Sequence, residues 1–273
     1  MNCYRHPDRE AFVRCQRCER FICPDCQYEA AVGFLCPDDA GQAGIAARVA
    51  NAAPRPVRNF VNSGKPVVTY SLVAVCVAVW GLQQLLGGSF TYQWFYWPLS
   101  TASEPWRMVT SAFLHSASSP LHILFNMYTL WVFGRELEYV LGRGRFLSLY
   151  ILSAFGGSVG VLWLSDPATP VLGASGALFG LMAAYFVIIR SLGGSSGQMA
   201  GLIAINLASG FLLPNVAWQA HVGGLVVGAA IAWVYAKNRS ANASARRTTL
   251  VIVIAGSLLA LTVLGVAKIA TGF

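Results

Sequence analysis

Charged side chains are scarce in this chain: they make up 11% of its 273 residues, against 56% hydrophobic. Soluble domains carry about 25% charged residues, so an ordinary water-soluble globule is excluded. Acids are scarcer still beyond the first quarter. Residues 1–65 hold seven of the eleven acids, and from Pro66 onward only Glu104, Glu136, Glu138 and Asp166 remain. A transporter built on internal repeats and midplane charges finds no support in that inventory. No H-E-x-x-H is present, which removes the usual helical metallopeptidase motif. The net charge of +8 therefore reads as membrane topology rather than as a nucleic-acid surface.

What is abundant is apolar sequence. It divides into seven stretches near the ~20 residues a helix needs to cross hydrocarbon. They run over about 67–86, 119–140, 145–165, 172–190, 198–214, 217–236 and 249–268, the fifth being short and containing glycine. The first forty residues are polar and cysteine-rich, so the first stretch is expected to act as an internal signal anchor. One set of connecting segments holds Arg55, Arg58, Lys65, Arg135, Arg143, Arg145, Arg190, Lys237, Arg239, Arg246 and Arg247; the other holds only Arg107 before Lys268. That asymmetry predicts a multi-pass cell-membrane protein with a cytoplasmic N-terminus and an external C-terminus. The segment 87–118 is rich in aromatic residues, among them Tyr92, Trp94, Phe95, Trp97 and Trp106. It is expected to lie partly in the membrane interface.

Two residues in the apolar body are costly there. Ser175, in Gly173-Ala174-Ser175-Gly176, opens the fourth stretch, and His221, in Ala220-His221-Val222-Gly223-Gly224, opens the sixth. Both stretches run from outside to inside, which predicts matching depths about one turn in from the external face. Judged alone, Ser175 is equally a small packing residue. Gly176 with Gly180, and Gly224 with Gly228, are small-residue pairs that allow these two helices to touch. Close contact is what a serine nucleophile and its histidine base require. The body acids are not placed to orient His221, so a dyad is expected and not a triad. His122 and Asn126 share a face of the second stretch at the same level. They suit either an interhelical polar contact or, with the Ser175 N–H, a set of oxyanion donors.

These pieces, in order across about 65–236, resemble the rhomboid intramembrane serine proteases. Trp106-Arg107 with Thr110, Phe113 and His115 is similar to the family's first-loop motif; His122 with Asn126 resembles its H-x-x-x-N, and Gly134-Arg135-Glu136-Leu137-Glu138 its G-x-x-L-E. The Ser175 and His221 segments resemble its nucleophile and base motifs. The interval from His115 to His122 is slightly long for the family. The resemblance implies Ser175 as nucleophile, His221 as base, and His122 with Asn126 at the oxyanion. It also implies cofactor-free hydrolysis of peptide bonds in or beside transmembrane helices of lipid-embedded protein substrates. A catalytically inactive rhomboid-like protein that binds and retains or chaperones membrane clients is the alternative.

Six of the seven cysteines lie in the first forty residues. Cys3-x2-His6, Cys15-x2-Cys18, Cys23-x2-Cys26 and Cys36-x2-Asp39 form four ligand pairs, with Asp38 competing with Asp39. Structural zinc takes four such ligands, and a reducing cytoplasmic side favours metal over disulfides. Eight positions suggest two zinc ions. The small core available, Phe12, Val13, Phe21, Ile22 and Phe34, needs such a staple. The pattern resembles cross-braced B-box and RING-like modules. That resemblance implies one site of Cys3, His6, Cys23 and Cys26, and a second, weaker site of Cys15, Cys18, Cys36 and Asp39. The role of this module is open between binding a cytoplasmic partner, positioning substrate and regulating stability; nucleic acid is disfavoured, because its charges nearly balance.

The expected fold is an all-α polytopic membrane protein. A zinc-binding module over 1–40 and a flexible linker over 41–65 precede a six-helix core over 66–236. A basic loop and a seventh helix occupy 237–273.

Overall fold

The computed structural model describes residues 1–29, 34–40, 65–212, 216–238 and 244–271. The expected linker, apart from Lys65, lies outside the described residues. The chain divides into two compact units, one of Met1–Val67 with Lys237–Thr248 and one of Val68–Ala236 with Thr249–Phe273.

The N-terminal unit holds two minimal antiparallel ladders. β1 (Val13–Arg14) pairs with β2 (Phe21–Ile22), and β3 (Tyr28–Glu29) with β4 (Phe34–Leu35). Two-residue strands are not stable by their own hydrogen bonds, so the packing must come from elsewhere. Its centre is Ile22 together with Cys3, Cys15, Cys18, Cys23, Cys26 and Cys36, all buried. Phe12, expected in this core, is instead 82% exposed. The extended backbone alternates its side chains. With Ala11 buried and Val13 packed on the core, Phe12 must face away.

Seven long helices follow among the described residues. They are α1 (Val67–Leu86), α2 (Pro120–Leu141), α3 (Arg143–Leu164), α4 (Ser175–Ser191), α5 (Gly197–Leu212), α6 (Trp218–Lys237) and α7 (Ser244–Thr271). Four of them, α1, α3, α6 and Ala245–Thr271 of α7, are long and apolar enough to cross a membrane. α4 and α5 are shorter apolar helices. α2 is 22 residues long, but its C-terminal end carries Arg135, Glu136 and Glu138.

The fourth helix begins later than the apolar run suggests. Val171 pairs with Tyr96 in an isolated bridge, the Gly173 N–H donates to the Ser111 carbonyl at 2.9 Å, and Gly173 has φ +127°. A positive φ of this kind favours glycine and ends regular structure. Ser175 is therefore the first residue of its helix, whereas His221 is the fourth residue of α6.

Glycines determine how the inner helices meet. A methyl group at Gly224 or Gly228 of α6 would collide with the Gly176 or Gly180 carbonyl oxygen of α4. One at Gly223 of α6 would strike the Gly156 carbonyl of α3, and one at Gly160 of α3 the Gln219 carbonyl of α6. Backbones thus touch directly among α3, α4 and α6. In lipid, where apolar burial drives little, such close van der Waals contact is a principal source of helix association.

Glu138 explains the seemingly costly charge in α2. It is 4% exposed, and its carboxylate accepts the N–H groups of Val68 and Thr69 at 2.9 and 2.7 Å and the Thr69 hydroxyl at 2.8 Å. The first turn of a helix has no intrahelical acceptors for its N–H groups, and its positive dipole end favours a carboxylate. Gly134, one turn earlier, leaves room for Thr69: a Cβ there would lie 2.8 Å from Thr69 Cγ2. Glu138→Ala removes the acceptor from buried donors and is expected to cost about 1–3 kcal/mol. The expected readout is a lower unfolding midpoint in detergent, with a smaller drop for Glu138→Gln.

Candidate active site and metal centres

The segment between α1 and α2 folds back under its own aromatic residues. Arg107 is 4% exposed; it pairs with Glu104 at 2.9 Å and donates to the backbone carbonyls of Tyr92 and Phe95. The rings of Tyr92, Phe95 and Trp97 meet edge to face above it. Tyr96 is fully buried, its hydroxyl 2.9 Å from Thr101 Oγ1. Ser158 of α3 donates to the Met108 carbonyl at 2.7 Å. This packed segment, through the Tyr96–Val171 bridge, holds the strand-like approach to Ser175.

At the start of α4, Ser175 Oγ lies 3.0 Å from His221 Nε2. That is the separation of a hydroxyl from the base that takes its proton. The imidazole stacks on the Phe179 ring, with centroids 4.2 Å apart and planes at 16°. Phe179 stands four residues after Ser175, so it shares that face of α4, a signal present in the sequence but passed over. On the α5 side, a Cβ at Gly210 would lie 3.4 Å from His221 Nδ1. His221 Nδ1 has no hydrogen-bond partner among the described residues. Packing, not a carboxylate, orients the ring. Three of the four body acids are engaged elsewhere: Glu138 on α1, Glu104 on Arg107, and Asp166 with the Ala168 N–H at 2.8 Å.

The other two predicted residues lie beside this pair. A Cβ placed on Gly173 would stand 3.1 Å from His122 Nε2 and 3.9 Å from Ser175 Oγ. Only a residue without a side chain keeps that gap open. His122 Nδ1 accepts the Ser116 N–H at 3.1 Å. Asn126, 6% exposed, donates from Nδ2 to the His122 carbonyl at 2.7 Å, and its Oδ1 has no partner among the described residues. Its amide retains a second N–H. The first hydrogen bond of α4 runs from the Leu178 N–H to the Ala174 carbonyl at 3.0 Å. The N–H groups of Ser175, Gly176 and Ala177 therefore lie in the turn where intrahelical acceptors are lacking.

In the N-terminal unit the ligand pairs come together alternately. The donor atoms of Cys3, His6, Cys23 and Cys26 form one group and those of Cys15, Cys18, Cys36 and Asp39 another, each within 4.8 Å of one another. A tetrahedral zinc with bonds of about 2.0–2.3 Å places its ligand atoms roughly 3.5–3.8 Å apart. His6 Nδ1 lies 3.9, 3.4 and 3.4 Å from the sulfurs of Cys3, Cys23 and Cys26. Cys18 and Cys36 are 3.6 Å apart, and Asp39 Oδ2 is 3.3 Å from both Cys15 and Cys36. Both quartets fit the ion. Asp38, the competing carboxylate, instead pairs with Arg20 at 2.8 Å.

Arg20 also donates to the sulfurs of Cys18 and Cys36 at 3.2 and 3.4 Å, and its guanidinium lies over the Tyr4 ring. Burial works to raise the Asp39 carboxyl, but hydrogen bonds from Cys18, Cys15 and Cys36 hold it below the ordinary carboxylate range. A hydrogen bond from Cys18, opposed by burial, lowers the Cys15 thiol to about 6. The same contact, with burial, raises the Cys18 thiol, and burial raises Cys36; an ion bound here would have to displace those protons.

A family model described as the Rhomboid domain matches residues 102–238. The chain is 31% identical over 180 residues to Rhomboid protease GluP of Bacillus subtilis (strain 168), covering 61% of this chain and 34% of that protein. It is 31% identical over 192 residues to Rhomboid protease GlpG of Serratia proteamaculans (strain 568), covering 64% and 65% respectively. To RHOMBOID-like protein 6, mitochondrial, of Arabidopsis thaliana it is 37% identical over 140 residues, covering 48% and 44%. The chain thus spans between about one third and just under two thirds of the length of these relatives.

Proposed function

The chain belongs to the rhomboid family, and on that footing we propose that it is an intramembrane serine endopeptidase with Ser175 as nucleophile and His221 as its base. The observation that carries this reading is the 3.0 Å approach of Ser175 Oγ to His221 Nε2 between helices whose backbones touch. His221 Nε2 takes the hydroxyl proton as Oγ attacks the scissile carbonyl carbon. The negative charge passes to the carbonyl oxygen, next to the Ser175 N–H, His122 Nε2 and the free Asn126 N–H. Collapse breaks the C–N bond, and His221 returns the proton to the leaving amine. Water, deprotonated by His221, then hydrolyses the Ser175 ester and regenerates the hydroxyl. No cofactor enters these steps.

The substrates are transmembrane proteins. A helical peptide bond is shielded by its own hydrogen bonds, so the cleaved segment must unwind. Helix-weakening glycine or proline and a small residue before the cut are the expected substrate features. The arginine and lysine asymmetry supports a cytoplasmic N-terminus, with the dyad near the external end of α4 and α6, where water reaches it.

The N-terminal unit is proposed to hold two structural zinc ions, one on Cys3, His6, Cys23 and Cys26 and one on Cys15, Cys18, Cys36 and Asp39. Bound metal would supply the folding energy that its two-residue strands lack. The unit faces the cytoplasm in this topology and suits a soluble protein partner.

An activity-based fluorophosphonate applied to the detergent-purified chain tests the protease. Labelling is expected in the unmodified chain and is expected to drop by at least ~10³-fold in Ser175→Ala and His221→Ala. Equal labelling of all three, or none in any, would leave a non-catalytic client-binding relative. Metal analysis of the same preparation is expected to give two zinc ions per chain. A chelator should strip the Asp39 site first, leaving a ratio near one, and a metal-free chain that stays folded would refute the staple.

A further inference from the structure

Three side chains on one face of α1 hold three successive residues of the segment that leads into α2. Trp80 Nε1 donates to the Ser116 carbonyl at 3.1 Å. Gln83 Nε2 donates to the His115 carbonyl at 2.9 Å, and Gln83 Oε1 accepts the His115 N–H at 3.0 Å. Gln84 Nε2 donates to the Ala117 carbonyl at 3.1 Å. Positions 80, 83 and 84 are spaced i, i+3 and i+4, which places them together on one helix face. Gln83 is 1% exposed, and its remaining N–H donates to Thr91 Oγ1 at 3.1 Å. Because one end of its amide meets a backbone N–H and the other a backbone carbonyl, its orientation is fixed by chemistry.

A further bond links the clamped segment to the site. The Ser116 N–H, in the peptide unit whose carbonyl belongs to the clamped His115, donates to His122 Nδ1 at 3.1 Å. A backbone N–H can only donate. Nδ1 must therefore be the bare nitrogen, which leaves the neutral ring protonated at Nε2. Nε2 and Cε1 form the ring edge nearest Gly173: a Cβ there would stand 3.1 Å from Nε2 and 3.9 Å from Ser175 Oγ. The opposite tautomer would turn a lone pair toward the developing oxyanion.

We infer that Gln83 and Trp80 are positioning residues that hold the Ser116 N–H on His122 and so keep His122 in its Nε2–H form, a donor aimed into the site. The inference rests on the protease reading for its catalytic consequence. The role of Gln83 would not follow from helix packing alone, because a leucine would fill the same space without fixing a backbone.

The test uses the full chain in detergent, with histidine ring nitrogens labelled with nitrogen-15, unmodified and as Gln83→Ala and Trp80→Phe. Trp80→Phe keeps an aromatic ring and removes one N–H, which covers the event that Gln83→Ala fails to fold. The unmodified chain is expected to show His122 as the Nε2–H tautomer, and the variants a mixture with the Nδ1–H form. On a transmembrane substrate, kcat is expected to fall about 10–100-fold at little-changed KM, the scale of a misplaced catalytic group. A clamp that served stability alone would lower the unfolding midpoint and leave tautomer and kcat intact; that result would overturn the inference. So would an Nδ1–H His122 in the unmodified chain. With fluorophosphonate labelling of Ser175 still present, either failure would leave the protease reading in place, and absent labelling would remove that reading by itself.

Discussion

Backbone contact among α3, α4 and α6 is the constraint on which the rest of this molecule depends. Ser175 and His221 are 46 residues apart in sequence, yet their reactive atoms lie 3.0 Å apart. No acid bonds His221 among the described residues, so that distance rests on how closely the helices approach. Gly176 faces Gly224, Gly180 faces Gly228, and Gly156 and Gly160 of α3 close on Gly223 from the other side. Each glycine removes a side chain where a neighbour's carbonyl sits. Phe179 then supplies the flat surface on which the imidazole rests. Packing replaces, in this arrangement, the orienting carboxylate of a triad.

The scarcity of acids is tied to this design. A carboxylate in a membrane protein is tolerated where it satisfies groups that lipid cannot. Glu138 accepts the exposed N–H groups at the start of α1, and Glu104 holds Arg107, which in turn ties down two carbonyls of the aromatic segment. These acids serve backbone that would otherwise be left unpaired. Trp80, Gln83 and Gln84 perform the same service for residues 115–117 with neutral groups. The polar residues of the body thus hold irregular backbone in place around one serine.

Much of this was legible in the chain itself. Each of the seven apolar stretches falls on one of the long helices among the described residues, because sustained apolar character is a coarse requirement that composition reports directly, though only four of these are long and apolar enough to cross a membrane. Ser175 and His221 stood out because each is expensive in an apolar run. The start of α4 was misjudged by three residues, since hydropathy does not register the positive φ of Gly173. The α3 glycines escaped notice: Gly156-Gly157 with Gly160 matters only through what lies opposite, and a single helix does not reveal its neighbour. The α1 clamp was hidden for the same reason, its acceptors being backbone carbonyls with no sequence signature. In the N-terminal unit, spacing identifies each two-ligand pair but not which pairs meet. Phe12 misled because apolar character was weighed without the alternation that turns it outward.

The most direct measurement is cleavage of a single-span substrate co-reconstituted with the chain in lipid vesicles, with the cut bond located by mass spectrometry. The account predicts a discrete cut in the part of the span level with the start of α4, following a small residue beside a helix-weakening glycine or proline, and no cut with Ser175→Ala. Cleavage that persists in Ser175→Ala, or that falls only in soluble segments far from the span, would contradict it.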